Sequence, residues 1–147
     1  MAKMKILLMA LALILVCACT GQGVLPPMPA DALEVGAEMV ITGSDQQTGD
    51  ISLQYTILVK NVSDETLEKV ILEDFQLPSD IVMQQDYFEI ENLRAGETRK
   101  VTFGVIVLGW GLNAQRQEWE VDYTMRIEEG SAYTEQTFYY GIELYPE

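Results

Sequence analysis

The chain has 147 residues, with nine Lys or Arg, 23 Asp or Glu and a formal net charge of −14. This acidic balance argues against nucleic acid as a partner, because phosphate groups require basic side chains. The sequence contains no histidine, which excludes a Ser-His-Asp or Cys-His nucleophile as well as zinc held by histidine.

The first nineteen residues have the features of a secretory signal. Two lysines provide a positive start, residues 6–16 form an unbroken apolar run, and Ala18 precedes Cys19. The end of this segment resembles a prokaryotic lipobox, whose final cysteine is lipid-modified and becomes the mature N-terminus. We therefore predict a lipoprotein signal peptide at residues 1–18 and a lipid on Cys19. Two alternatives remain: cleavage without lipidation, and a retained transmembrane helix, for which about 13 apolar residues is shorter than the roughly 20 that a bilayer requires.

Residues 19–32 are predicted to comprise the lipidated Cys19 and a flexible, Pro-rich tether. Its three prolines favour extended polyproline geometry at about 3.1 Å per residue, so the tether would hold a domain up to roughly 40 Å from the lipid. Both cysteines lie before residue 20. The domain therefore has no disulfide, and a hydrophobic core must stabilise it.

From Leu33 to the C-terminus, apolar and polar residues alternate with a period of two, which is typical of half-buried antiparallel strands. The strong runs are residues 51–60, 100–107, 118–128 and 138–144, and the weaker ones are 38–42, 67–73 and 87–91. Turn-forming Gly, Pro, Asn and Asp separate the runs, and no stretch has a sustained helical period. About seven short strands of this kind predict an all-β fold, an immunoglobulin-like antiparallel β-sandwich over residues 33–147.

The clearest alternation lies between Glu118 and Glu128. We predict that its apolar residues face the core: Trp119, Val121, Tyr123, Met125 and Ile127. We predict that charged residues between them face water: Glu118, Glu120, Asp122 and Arg126. This register is strongly specified, because a slip of one residue would bury every charge in the strand.

Two segments resemble immunoglobulin-like modules of prokaryotic surface proteins, the CARDB-like group and related repeat families of archaeal and bacterial envelopes. Residues 59–74 resemble the pattern Val-x-Asn-x-Ser followed by Leu-x-x-Val, and residues 88–103 resemble Ile-x-x-Leu-x-x-Gly-Glu followed by Val-Thr-Phe. The resemblance implies the same sandwich fold. Its motifs mark turns between strands, so no catalytic or binding residue follows from it. The chain differs in having one copy rather than a tandem array, and in a Tyr-rich final strand.

Asn61 and Ser63 form an N-glycosylation sequon in a predicted loop. A glycan on Asn61 would require a host that glycosylates its proteins. The alternative is a turn in which the Asn and Ser side chains bond the nearby backbone.

Four aromatic residues are the candidate interaction site. Tyr133, Tyr139 and Tyr145 share one parity of the last predicted strand. An outward aromatic strip would suit a protein partner or sugar rings, and the alternative is the ordinary preference of tyrosine for strands. Trp110 lies between two glycines, which would let a loop present it at its tip. Alternatively, Trp110 folds back and closes one end of the sandwich.

Eight acidic residues lie in or near predicted loops and would supply oxygen ligands if calcium bound there. They are Asp45, Asp50, Asp64, Glu65, Glu73, Asp74, Asp80 and Asp86. No Asp-x-Asp-x-Asp-Gly pattern is present, and solvated loop charge is the simpler interpretation, so we predict no metal and no cofactor. Paired carboxylates for glycoside hydrolysis would also be available, but no spacing singles out a pair.

Together these features predict a lipid-anchored, non-catalytic protein of the cell envelope. The lipid would hold it on the cell membrane or the outer membrane, with the domain on the extracytoplasmic side. The expected partner is an envelope protein or a glycan, bound for interaction or structural support. The alternative is a surface module that binds a carbohydrate or calcium, and no nucleic acid is expected.

Overall fold

The computed structural model describes residues 25–147. The predicted signal peptide and Cys19 lie outside the described residues. The first described element is α1 (Pro29–Ala32), a single helical turn that begins with proline. Proline suits this position because its fixed φ fits a helix and its missing N–H would have no helical partner there. No helix in residues 25–147 is both long enough and apolar enough to cross a membrane.

Eight strands follow α1, and they form two antiparallel sheets that share one core. The strands are β1 (Leu33–Ser44), β2 (Ile51–Asn61), β3 (Leu67–Gln76), β4 (Ile81–Met83), β5 (Phe88–Leu93), β6 (Thr98–Val107), β7 (Gln117–Glu129) and β8 (Ala132–Leu144). The first sheet has the order β1-β2-β6-β4, and the second has the order β5-β3-β7-β8. This arrangement confirms the predicted all-β sandwich. All seven predicted strands are present, and β4, with three residues, is the additional one.

The register of β7 is the predicted one. Its alternate apolar residues are buried: Trp119, Val121, Tyr123, Met125 and Ile127. The acidic residues between them are exposed: Glu118, Glu120 and Asp122. Arg126 also points outward, and it is only partly exposed because it pairs with Glu73 at 3.2 Å and with Glu128 at 3.2 Å. The hairpin to β8 keeps this register along the whole of β7.

Aromatic rings from both sheets meet at the centre of the core. The ring centroids of Tyr55 in β2 and Tyr140 in β8 lie 4.4 Å apart, and those of Phe103 in β6 and Phe88 in β5 lie 5.4 Å apart. The Tyr55 hydroxyl donates a hydrogen bond to the Gly141 carbonyl of β8 at 3.0 Å. These contacts place β2 opposite β8. Because β1 lies beyond β2 in its sheet, at the level of this contact β1 lies past the edge strand β8.

Two tyrosines in this core differ in how their hydroxyl groups are satisfied. The Tyr140 hydroxyl lies 3.2 Å from Met83 Sδ and donates to it. The Tyr123 hydroxyl is buried and has no hydrogen-bond partner among the described residues. Burial raises the pKa of the Tyr123 hydroxyl well above its usual value, because the ionised form would lack solvent. Tyr123 therefore fills volume but carries a polar group that the core does not satisfy.

Residues 26–32, the end of the predicted tether, pack against the sandwich. The buried residues of this segment are Pro26, Pro29 and Ala32. The Pro27 carbonyl accepts a hydrogen bond from Thr134 Oγ1 at 2.7 Å, and the Ala30 N–H donates to Gln136 Oε1 at 2.9 Å. Thr134 and Gln136 belong to the first half of β8. The segment therefore fills the space beside β8 near the start of that strand.

Candidate interaction site

The sandwich has two ends, which we name by their relation to the N-terminus. At the proximal end, Leu25 lies beside the loop at residues 63–67. The distal end is formed by the loops at residues 45–50, 77–80 and 108–116 and by residues 145–147. Strands of 12 and 13 residues run between the two ends, which corresponds to roughly 40 Å.

Hydrogen bonds hold the distal loops together. Asp50 Oδ1 accepts from the Gly109 N–H at 2.8 Å, and the Leu108 N–H donates to the Asp80 carbonyl at 2.8 Å. The Asp80 carboxylate also accepts from the Trp119 indole N–H at 2.8 Å, which ties its loop to β7. The distal end is thus a connected set of loops rather than three separate ones.

Close packing between two of these loops positions a short 3-10 turn, Trp110–Leu112. The Gly111 N–H donates to the Gly49 carbonyl at 2.7 Å. Gly49 has a φ of +75°, and a Cβ atom there would lie 2.6 Å from Leu112 Cγ and 2.8 Å from the Leu112 backbone N. Glycine is required at this position both for its backbone conformation and for the approach of the turn.

A groove of about 630 Å³ opens at the distal end between β1, the 3-10 turn and the C-terminal residues. We call it the distal groove, and its lining includes Ile41, Asp45, Trp110, Leu144, Tyr145 and Glu147. It brings together Trp110 and Tyr145, two of the four aromatic candidates. The Trp110 indole N–H donates to the Gln115 carbonyl at 2.9 Å, and the ring packs partly buried against the core. Trp110 is therefore neither fully exposed at a loop tip nor fully buried at the end of the sandwich.

The distal groove is open because no strand of the described residues faces the distal half of β1. Met39 and Ile41 pair in register with Tyr55 and Leu53, whose side chains are buried, so all four point to the inner side of the sandwich. Ile41 is nevertheless 59% exposed. Residues 26–32 fill the gap beside β8 only along its first half. The distal half therefore presents apolar side chains to solvent.

Carboxylates surround Tyr145 at the rim of the distal groove. The Tyr145 hydroxyl donates to Glu143, and Arg116 binds Glu143 at 2.8 Å and Glu118 at 2.8 Å. The Arg116 guanidinium lies 5.5 Å from the centre of the Tyr145 ring. The hydrogen bonds from Tyr145 and Arg116 lower the pKa of the Glu143 carboxyl, and backbone N–H groups of its own loop lower the pKa of Asp45. The rim is therefore anionic at neutral pH.

Tyr133 and Tyr139 lie outside the distal groove, on the outer face of β8. Their side chains are 57% and 67% exposed, as their parity predicts. The Arg126 guanidinium lies 5.6 Å from the centre of the Tyr133 ring. A separation of six residues corresponds to roughly 20 Å along a strand, so the three tyrosines do not form a continuous strip. Of the three, Tyr145 is the one that lines the groove with Trp110.

Asn61 lies at the proximal end and is fully buried. Its Nδ2 donates to the Glu65 carbonyl at 2.7 Å and to the Leu93 carbonyl at 2.9 Å. Its Oδ1 accepts from the Ser63 N–H at 2.9 Å and from Ser63 Oγ at 2.6 Å. These bonds are those of the turn alternative, in which the Asn and Ser side chains bond the nearby backbone, and a glycan on Nδ2 would have to replace the donated bonds.

The acidic loops are arranged by their own hydrogen bonds. The loops that carry Asp50 and Asp80 both bond to the loop at residues 108–116, but residues 25–147 contain no group of three His, Cys, Asp or Glu placed to hold a metal ion. Asp45 instead accepts from the Gln47 and Thr48 N–H groups at 2.7 and 3.1 Å. Asp50 and Asp80 accept from protein donors as described above. These carboxylates therefore stabilise the loops themselves.

Ile41 and Leu112 are two exposed apolar residues at this end that the sequence did not single out. Val40, Leu77 and Leu108 are exposed there as well. Leu112 is as exposed as Ile41, at 59%. Ile41 follows the apolar alternation of its strand, so from sequence it is indistinguishable from a core residue. Its exposure depends on the strand that is missing opposite β1. For Leu112 the only local signal was the pair of glycines that flank Trp110.

The strand order defines the class of this domain. The order β1-β2-β6-β4 in one sheet and β3-β7-β8 in the other matches the two sheets of an immunoglobulin domain, with β5 added beside β3. The described residues therefore form an immunoglobulin-like β-sandwich.

Comparison with known proteins agrees with this class and adds no family. No family model and no curated protein matches the chain. The Escherichia coli alpha-2-macroglobulin structure from domain MG7 to the C-terminus is similar, with a TM-score of 0.50 and 16% identity over 78% of this chain and 17% of that chain. Because the chain spans so little of that structure at low identity, the likeness shows the fold alone. A FixG-related protein from Vibrio parahaemolyticus gives a TM-score of 0.37 and 15% identity over 71% of this chain and 94% of that chain, which carries no argument.

Proposed function

We propose that this chain is a lipid-anchored, non-catalytic protein of the cell envelope that binds a partner protein through the distal groove. Cys19 carries the lipid, and the domain stands on the extracytoplasmic side of the cell membrane or the outer membrane. The motifs at residues 59–74 and 88–103 support a place among the CARDB-like modules of prokaryotic surface proteins. The acidic composition supports an envelope protein rather than nucleic acid as the partner.

The observation that carries this proposal is the position of the distal groove relative to the N-terminus. Leu25 lies at the proximal end, so a lipid-bound N-terminus would turn that end toward the membrane. The groove then faces away from the membrane, roughly 40 Å beyond the proximal end. Ile41 lines the groove and Leu112 lies in the adjacent 3-10 turn, and both expose apolar side chains at this outer end. Exposed apolar side chains at a groove favour a binding site.

The chemistry of the distal groove favours a protein over a glycan. Sugar rings bind on exposed aromatic faces, but the Trp110 ring is partly buried and its N–H is already bonded to Gln115. Tyr145 is engaged by Arg116 and Glu143. Ile41 in the groove and Leu112 in the adjacent 3-10 turn add exposed aliphatic surface beside these engaged aromatic rings, and exposed apolar surface of this kind suits a protein partner.

The experiment that tests this function is affinity purification of the full chain from native membranes. Leu112→Ser and Ile41→Ser remove apolar surface at the distal end without opening the core. Val62→Ser is the matched control, because Val62 is also exposed and apolar but lies at the proximal end. We expect a protein that co-purifies with the wild type and with Val62→Ser but is lost from the two distal variants.

Retention of that protein by the double variant Ile41→Ser and Leu112→Ser would contradict the proposal. Equal loss in all three variants would contradict it as well, because the binding surface would then not be the distal end. Recovery of a glycan, with its retention abolished by Tyr145→Ala alone, would favour the alternative of a carbohydrate-binding module.

A further inference from the structure

The hairpin between β7 and β8 determines which backbone groups face outward from the edge of the second sheet. β8 is the edge strand, and only two residues separate the paired Glu129 and Ala132. In a two-residue hairpin this pair exchanges both hydrogen bonds. The alternation then directs the N–H and C=O groups of the odd-numbered residues of β8 to the free edge. The Gly141 carbonyl agrees with this assignment, because it accepts the Tyr55 hydroxyl instead of a group of β7.

The distal half of this edge is open and regular. Within residues 25–147, no backbone hydrogen bond reaches the outer edge at Tyr139 or Glu143. β8 runs for 13 residues with no proline, no lysine and no register shift. A long edge of this kind is a template for pairing with another chain. The other edges are less suitable, because β1 has a register shift, β4 has three residues and β5 has six.

A strand added to β8 would complete the sandwich. It would occupy the position opposite the distal half of β1, where the described chain places no strand. Its inward side chains would cover Met39 and Ile41, which point to the inner side but are half-buried and exposed, respectively. Because alternate side chains of a strand face opposite sides, apolar residues are needed at every second position of the added strand.

The outer face of the second sheet, next to the free edge of β8, favours basic residues at the outward-facing positions of the added strand. The carboxylates on the distal outer face of β7 and β8 are Glu118, Glu120, Asp122 and Glu143. Arg116, next to this face, already pairs with two of them. Lysine or arginine side chains on the added strand would lie beside Glu143 of β8 and one strand away from the three carboxylates of β7, which favours positive charge there. A second copy of β8 would instead add further acidic side chains to an acidic face.

We propose that an extended segment of a partner protein, with alternating apolar and basic residues, adds to the free edge of β8 over residues 137–143. The backbone groups of Tyr139 and Glu143 bind it, and its apolar side chains enter the distal groove beneath Ile41. This is strand addition to a sheet edge, in which backbone bonds give affinity and alternate side chains give specificity. The proposal rests on the proposed function, because it names the chemistry of the partner at the same groove.

The test uses the full chain in detergent micelles and a synthetic nine-residue peptide in which lysine alternates with valine, with binding measured by calorimetry. Tyr139→Pro removes an N–H at the free edge without removing a bond to β7. Tyr139→Thr is the matched control, which loses the ring but keeps that N–H. We expect the peptide to bind the wild type and Tyr139→Thr, and to bind Tyr139→Pro about tenfold more weakly because backbone hydrogen bonds are lost.

Methylated peptides test the backbone pairing directly. Alternate backbone amides of a strand face opposite edges. Methyl groups on the backbone nitrogens of the lysines therefore block one edge of the peptide, and methyl groups on the backbone nitrogens of the valines block the other. In an antiparallel addition to β8, the lysine amides face Tyr139 and Glu143. We expect methylation of the lysine backbone nitrogens to abolish binding and methylation of the valine backbone nitrogens to preserve it. A strand added in the parallel direction would give the reverse pattern.

Equal binding by both methylated peptides, or unchanged binding to Tyr139→Pro, would overturn strand addition. Attraction between charges would then be the only remaining explanation of the binding. Dimers of the chain that Tyr139→Pro abolishes would make a second copy the occupant and overturn the assigned partner. If the alternating peptide fails while Leu112→Ser still loses its partner protein, strand addition falls and the proposed function stands. If the peptide fails and no distal variant loses a partner, both fall.

Discussion

Replacing Asn61 by alanine should destabilise the domain by about 3 kcal/mol. The side chain is fully buried and makes four hydrogen bonds, two as donor and two as acceptor. A net contribution of about 1 kcal/mol for each bond gives about 4 kcal/mol in total. The loop at residues 63–65 is partly open to water, which would rehydrate its groups and lower the loss to about 3 kcal/mol. The Leu93 carbonyl would stay buried without its partner.

Two matched variants separate this structural role from glycosylation. Asn61→Asp keeps the shape but places an acceptor opposite two carbonyls and buries a charge, so it should cost at least as much as alanine. Ser63→Ala destroys the same sequon but removes only the hydroxyl, so it should cost about 1 kcal/mol. Urea unfolding of the protein made in a host without N-glycosylation measures all three. Stability changes of Asn61→Ala and Ser63→Ala that are equal and near zero would refute the reasoning.

Three further outcomes are expected. Trp119→Ala should cost about 3–5 kcal/mol, as a truncated buried aromatic does, and Glu120→Ala about 0.5 kcal/mol or less; comparable costs in urea unfolding would mean that the strand register is wrong. Tyr123→Phe should leave the stability of the domain unchanged or raise it, because it removes an unsatisfied hydroxyl. Tyr55→Phe should lower the stability by about 1 kcal/mol, because the hydrogen bond to the Gly141 carbonyl is lost. The opposite order of melting temperatures would contradict these roles of the two hydroxyls. Cys19→Ser should release the protein from membranes or leave an unprocessed precursor in fractionation, and a mature membrane-bound product would exclude the lipid anchor.

The strands of this fold follow from local pattern, but some of its packing does not. Alternation with period two located seven strands and the buried face of β7, because that period reports which side of a strand is apolar. It did not locate β4, since Ile81–Met83 is too short to show a period. The prolines of residues 26–32 indicated an extended segment, but proline content does not reveal that Pro26 and Pro29 are buried in the folded domain.

The residues of the candidate site could be named from the sequence only in part. Trp110 and Tyr145 were candidates separately, but their meeting requires the loop contacts of Gly49 and the end of β8 at one corner of the sandwich. Ile41 was hidden, because its exposure depends on the absence of a strand opposite β1. The burial of Asn61 was also hidden, since a three-residue pattern carries no information about burial.

In the proposed function, the domain meets its partner at the end opposite its membrane attachment. Photocrosslinking in native membranes tests it most directly, with a photoreactive amino acid at Leu112 in one version of the full chain and at Val62 in another. We expect a protein adduct from the photoreactive residue at Leu112, at the distal end, and none from the one at Val62, at the proximal end. A protein adduct from Val62 alone, or from both positions equally, would contradict it.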